Sequence, residues 1–356
     1  MKKTISLLLA LTMLFCLFAG CRKAGTLPAA AAPRPDGPAE TGAVPPAETD
    51  PVLPADEPTG ETGKPDTPPA GSVHPMLYHV TGDDGQEMYL FGTIHIGDSR
   101  TEQALELLQP TLDGCDALAV EFDLVAYEQD YEAHLSAMYT FLLTDGTTVE
   151  DHMPADLYAQ ASALLEEAGL MPDLMKQYNL AMWSQLVQQA AMLTRSSLDL
   201  QMGMDRLLIN YCHRAGIEVR DVESAEFQYE LLASFSDELN LLEIRGILNH
   251  LDEYGEQTDE LFAAWCRGDS DEIQAMTEDE SAADEYTAAE LLLLADYSRK
   301  MITERNTGMC DKAKQWLEAG DKVFFAVGAG HLVGPFGIVN LLKRAGYSVE
   351  QISVGG

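Results

Sequence analysis

Apolar and polar positions along this chain fall into three regimes. The runs Met76–Thr81 and Met88–Ile94 are rich in strand-forming residues and flank Gly82-Asp83-Asp84-Gly85. Residues that tolerate positive φ between two such runs predict a hairpin. Helical spacing of the apolar residues predicts a helix over Thr101–Gln109, and the apolar run Ala117–Phe122 predicts a buried strand ending at acidic Asp123. From Tyr127 to Met309 the apolar spacing becomes helical almost throughout, and Asp173–Leu193 and Ala225–Tyr254 are the longest candidate helices. One strand, Ile217–Val222, interrupts this region after the helix that ends at Ala215-Gly216, which is the punctuation of an αβ step. Beyond it come a strand Lys322–Val327, a helix Gly334–Ala345 and a final strand Tyr347–Val354. The pattern predicts a mixed α/β fold. Its central sheet is built from N- and C-terminal strand–helix halves, and a large helical insertion separates them.

The N-terminal 74 residues read differently. A short basic start, Met1-Lys2-Lys3, precedes an almost wholly apolar run from Ile5 to Ala19, too short to cross a bilayer comfortably and of the length of a secretory signal. It ends in Leu17-Phe18-Ala19-Gly20-Cys21, which resembles a bacterial lipobox, where the cysteine is acylated and becomes the new N-terminus. Residues 1–21 are therefore expected to be a lipoprotein signal peptide, with Cys21 the lipidation site on the extracytoplasmic face of the cell membrane. Residues 22–74 are dominated by Pro, Ala, Gly, Glu, Asp and Thr, and 12 of the 17 prolines of the chain precede Pro75. Such a composition buries too little apolar surface to offset its ordering entropy, so it predicts a disordered tether. The folded domain is expected over 75–356.

Charge narrows the partners. With 58 acidic and 22 basic residues the formal charge is −36. A field of that sign repels phosphates and anionic headgroups, so nucleic acid is excluded as a partner, and membrane contact is left to the N-terminal lipid alone. Cys115, Cys212, Cys266 and Cys310 show no metal or redox spacing and read as small buried hydrophobes, with one disulfide conceivable in an oxidising compartment.

Two motifs can carry chemistry. Leu90-Phe91-Gly92-Thr93-Ile94-His95 and Phe325-Ala326-Val327-Gly328-Ala329-Gly330-His331 each place Gly-x-x-His at the end of an apolar strand. Glycine there permits a tight turn or a close backbone approach, and ligands bind at the carboxyl ends of strands in open α/β sheets. The motif by itself is weak, since Gly71-Ser72-Val73-His74 matches it within the predicted tether. Each histidine taken singly could equally cap its strand against a backbone carbonyl. Glu121 stands in an apolar strand where an unpaired carboxylate is costly, so it needs a cation, a metal or a proton donor; Asp123 could do the same nearer the exposed end. Arg305, in Glu304-Arg305-Asn306, could pair with Glu121 or bind a carboxylate or oxyanion. No Gly-x-Ser-x-Gly motif is present, which disfavours covalent catalysis through a serine.

Taken in order, strand-Gly-Thr-Ile-His, Glu121, Gly203-Met204-Asp205, Val222-Glu223-Ser224 with Gln228, Arg305-Asn306-x-x-Met309 and Gly328-Ala329-Gly330-His331-Leu332-Val333-Gly334 resemble the TraB/GumN family, to which the animal Tiki proteins are similar. The resemblance spans about Tyr89 to Ser353. It implies a metal-dependent hydrolase fold whose relatives include divalent-metal peptidases, esterase-like enzymes and a haem-binding member. Carried over by position, His95 and His331 are metal ligands and Glu121 a ligand or base. Arg305 would steady an oxyanion, Asp205 and Glu223 rank second, and Gly92, Gly328 and Gly330 shape the backbone. The cofactor implied is a divalent ion, with Zn, Mn and Co not distinguished by mixed nitrogen and oxygen ligands. The expected substrate is a peptide or a small amide or ester. A non-catalytic lipoprotein that sequesters a peptide or pheromone in the same cleft, or a haem- or metal-binding module, is the alternative.

Overall fold

The computed structural model describes residues 73–277 and 285–353. The signal peptide, Cys21 and all but the last two residues of the expected tether lie outside the described residues. Those two belong to the domain: Val73 is buried in the core, and the His74 amide donates to the Cys266 carbonyl at 2.8 Å.

Six strands, β1 (Leu77–Thr81), β2 (Glu87–Thr93), β3 (Ala117–Val120), β4 (Glu218–Asp221), β5 (Val323–Gly328) and β6 (Ser348–Ile352), form one sheet in the order β4-β3-β5-β2-β1-β6. β1 runs antiparallel to β2 and to β6, whereas β2, β5, β3 and β4 pair in parallel. β3 and β5 are buried at every position, as expected of interior parallel strands covered on both faces. The edge strands carry Glu218, Arg220 and Asp221 on one side and Ser348, Glu350 and Gln351 on the other. Charged and polar residues there discourage pairing with another chain. The two halves expected from the sequence do build the sheet, but they interleave: C-terminal β5 lies between the N-terminal strands β2 and β3.

The helical insertion is more finely divided than its hydrophobic spacing suggests. Asp173–Leu193 splits into a 3₁₀ turn at Pro172–Met175 and a helix at Leu180–Arg195, because Asn179 caps the latter by accepting from the Met182 amide. Ala225–Tyr254 becomes three helices, Ala225–Ala233, Asp237–Asn249 and Leu251–Arg267, with Ser236 capping the second. Both interruptions are cap-residue effects, which spacing alone does not weigh. Leu180–Met192 is buried without a break, so this helix is core. The C-terminal helix begins at Ile338 rather than Gly334, after the Pro335–Gly337 turn. Among the described residues no helix is long and apolar enough to cross a membrane, and the four described cysteines are free.

Candidate active site

Each of the four parallel strands delivers one polar side chain just past its carboxyl end. β4 is followed by Glu223, β3 by Glu121, β5 by His331 and β2 by His95. The sheet order β4-β3-β5-β2 therefore sets these residues side by side in the order Glu223, Glu121, His331, His95. The ladder continues past the strand ends, since the Val222 amide donates to the Val120 carbonyl and the Glu223 amide to the Glu121 carbonyl, each at 2.9 Å.

Each imidazole is held by its Nδ1. His95 Nδ1 lies 2.7 Å from Asp205 Oδ2, and Asp205 Oδ1 accepts from the Thr93 hydroxyl at 2.6 Å. His331 Nδ1 lies 2.6 Å from Asn306 Oδ1, while Asn306 Nδ2 donates to the Phe336 carbonyl at 2.9 Å, which fixes the amide so that its oxygen faces the ring. An oxygen acceptor opposite Nδ1 draws the proton there, which in neutral His331 leaves Nε2 as a lone pair. His331 Nε2 is 3.8 Å from Glu121 Oε1.

Glycine provides the space. A Cβ on Gly328 would stand 3.4 Å from Glu121 Oε1, 3.5 Å from the His331 ring and 3.9 Å from His95 Nε2, so the three side chains close around the bare backbone at that position. With φ at −47° Gly328 needs no left-handed conformation; what it supplies is room, and Gly92 and Gly330 likewise lack positive φ. Gly203 does the same on the other side, because a Cβ there would fall 2.4 Å from the His95 carbonyl oxygen. The Met204 amide donates to the Ile94 carbonyl at 2.7 Å. Gly203-Met204-Asp205 therefore clamps both the backbone and the ring of His95.

The carboxylates are tied to Arg305, which enters from the first residue of the helix Arg305–Ala319. Its Nη2 donates to Glu121 Oε2 at 2.6 Å and to Glu223 Oε2 at 2.8 Å, its Nε reaches both Glu223 oxygens at 3.1 Å, and its Nη1 faces the Met301 carbonyl at 3.4 Å. Gln228 Nε2 donates to the same two carboxylates, at 3.1 and 2.9 Å. The amide of Gly328 donates to Glu121 Oε1 at 2.9 Å, leaving that oxygen with a remaining lone pair. Arg305 thus pairs with Glu121, one of the two partners expected for it. Its Nε and Nη2 are spent on two buried carboxylates, which leaves the expected oxyanion role to Nη1 alone. Asp123 departs from the site altogether. It caps the helix Leu124–Gln129 and meets His213 Nε2 at 2.7 Å.

These contacts set the charges. Burial would raise the pKa of Glu121, but Arg305 and the two imidazoles outweigh it and hold the carboxyl well below the usual range. Burial and the nearby guanidinium push His331 down to about 4, so it is neutral near pH 7. Burial opposes charge on His95 too, yet the Asp205 carboxylate beside it wins and moves its pKa upward. The two rings are therefore driven apart in basicity.

The cluster floors a cavity of about 120 Å³ whose walls include Met301, Ile302, Val333, Pro335 and Phe336. Sequence reasoning named His95, His331, Glu121, Arg305, Asp205 and Glu223, and the fold brings all six together. It assigned no role to Asn306, Thr93 or Gln228, although each lies within or beside a quoted motif. A polar residue next to a motif was the available signal. Trp265, whose indole Nε1 donates to the Gly92 carbonyl at 2.8 Å, carries no such signal, being 173 positions away.

The pattern of the TraB/PrgY/gumN family matches residues 76–351, which is 276 of 356 residues. The chain belongs to this family. No curated protein matches it, and no solved structure does. The matched span starts just before β1 and stops within β6, so it takes in the sheet up to Gln351 and every residue of the cluster. For a divalent ion, the donor types expected from the sequence stand at the cluster, two imidazoles and a carboxylate oxygen. Their spacing does not meet the requirement, since among the described residues no group of three His, Cys, Asp or Glu closes around an ion, and imidazole nitrogen lies roughly 2.0–2.1 Å from bound zinc.

Proposed function

We propose that this family member is a membrane-tethered, extracytoplasmic hydrolase of a peptide or small amide or ester. The observation that supports it is the cluster of His95, His331 and Glu121 at the floor of a cavity, with Asp205 and Asn306 set against the two imidazole Nδ1 atoms. Two titratable groups whose surroundings push their pKa values apart are the arrangement of an acid and a base. His331, kept neutral, accepts a proton from attacking water through Nε2; His95, favoured in its protonated form by Asp205, donates one to the leaving group. Glu121 holds its negative charge between the rings, and Arg305 positions Glu121 and Glu223. Were a divalent ion of the Zn, Mn or Co kind bound, His95, His331 and Glu121 would hold it and it would supply an activated water in place of the acid–base pair. The anchor part of the reading rests on the sequence segment ending at Cys21.

Hydrolysis of a peptide-amide library by the purified chain, measured before and after chelation together with metal content, tests the proposal. We expect activity in the wild type and a loss of at least 100-fold in both His331→Ala and His95→Ala. Activity that survives both substitutions overturns it. A non-catalytic peptide binder would instead show unchanged affinity and no cleavage with any ion. Replacing Cys21 with Ser should move the protein from the membrane fraction to the soluble one.

A further inference from the structure

The walls of the cavity differ in kind from its floor. Met301, Ile302, Val333, Pro335 and Phe336 present carbon, and the ionised groups beneath are spent on one another, because the guanidinium of Arg305 is engaged by Glu121 and Glu223. A substrate substituent that enters therefore meets a mainly apolar wall, with Thr277, Ser298 and Thr303 as its polar members, and a guanidinium already paired. Phe336 is 53% exposed at the mouth, a large apolar side chain left for a ligand to cover, and its carbonyl is held by the same Asn306 that holds His331.

The backbone of one stretch of the wall is unusual. Arg299–Glu304 is a π-helix, a rare conformation often found at functional sites. Met301, Ile302 and Thr303 all line the cavity although they are consecutive. In an α-helix three consecutive residues fan over about 200°, so they do not share one small cavity easily. The wider turn narrows that fan and leads into Arg305.

Volume then selects the occupant. An apolar cavity of about 150 Å³ holds benzene. This cavity, at about 120 Å³, suits a branched aliphatic group and is small for an indole. We propose that it is the subsite for one compact aliphatic side chain of the substrate, of the size of Val, Leu or Ile, gripped between Met301–Ile302 and Phe336 beside His331. The selection of that side chain deepens the hydrolase reading and rests on it for the word substrate; the binding itself does not.

The test is titration of the purified full chain with N-acetyl amino-acid amides of Leu, Ala, Trp, Asp and Lys, followed by NMR. The leucine amide should bind at least tenfold more tightly than the others, in line with what a few methylenes contribute in a fitted pocket. Ile302→Phe, which fills the cavity, should reduce leucine binding at least tenfold. Phe336→Ala, which opens the mouth, should narrow the gap between Leu and Trp. Phe336 is exposed enough that this variant should keep the wild-type melting temperature, so it decides the matter even if Ile302→Phe unfolds. Equal affinity across the series, or a preference unchanged in Phe336→Ala, overturns the subsite. Hydrolysis of N-acetyl-leucine p-nitroanilide is followed in parallel. Selective binding without cleavage removes the hydrolase reading and leaves the aliphatic subsite standing, whereas cleavage without selectivity does the reverse.

Discussion

Glu121 at the end of β3 and Glu243 in the helix Asp237–Asn249 are buried to nearly the same degree, 3% and 2% exposed, and the protein treats them in opposite ways. Glu121 has a guanidinium, an amide side chain and a backbone N–H, and its pKa falls. Glu243 accepts from the Ser184 hydroxyl at 2.6 Å, but its Oε1 has no hydrogen-bond partner among the described residues, and burial pushes its pKa up to about 7. Burial is common to both; the cation on a neighbouring element is not. Where the sheet converges, every carboxylate oxygen facing Arg305 is paired. Within the helical packing a carboxyl is tolerated by keeping its proton up to about pH 7. A buried acid therefore marks chemistry only when its partners hold the charge in place.

The largest effect should come from removing that cation. Arg305→Met leaves Glu121 and Glu223 buried together without a counter-charge and should cost about 3–5 kcal/mol, read as a lower denaturation midpoint in urea. Next in size is the pH dependence of the helical region. The folded protein holds the Glu243 proton up to about pH 7, whereas an unfolded chain releases it near the ordinary glutamate value. Its contribution to stability is therefore greatest in acid, declines as pH rises between those two values and is flat above, a total of about 3 kcal/mol. Glu243→Gln should abolish this decline and be more stable than wild type above pH 7, whereas an unchanged slope would mean Glu243 is ionised throughout. Glu121 acts with the opposite sign: its stabilisation is present above the ordinary carboxyl value and is lost as pH falls through its depressed one. A smaller change is expected from Asp205→Asn. It keeps the Thr93 contact and loses the charge beside His95, so hydrolysis should fall about 10–100-fold with little change in melting temperature. The smallest is Asp123→Ala, which removes a helix cap for about 1 kcal/mol and leaves activity as it was. A loss of activity there would return Asp123 to the site.

Much of this comparison was legible before the fold. The strands that carry His95, Glu121 and His331 showed as short apolar runs with glycine or an acid at their ends, and each appears within a few residues of its expected bounds. Glu243 was not singled out, because a glutamate among helix-spaced leucines reads as one more surface position. The helix breaks at Asn179 and Ser236 were missed because a single capping side chain outweighs several apolar positions at the right spacing. Asp123 and Arg305 were placed correctly in the chain but given roles that only their partners could settle. Asp123 faces His213, and Arg305 faces two carboxylates.

The sequence by itself determined which segments are strands, which are helices, and that two histidines follow strands through a glycine. These are consequences of short-range periodicity and of the steric demands of single residues. The tertiary structure alone decided that β5 slots between β2 and β3, and so that His95 and His331, 236 positions apart (331 − 95), stand beside one carboxylate. Strand order depends on which apolar faces pack together across the whole chain, and no local pattern records that choice. It also decided that Arg305 would spend its charge inward, because a guanidinium stripped of water must be answered by the acids it meets.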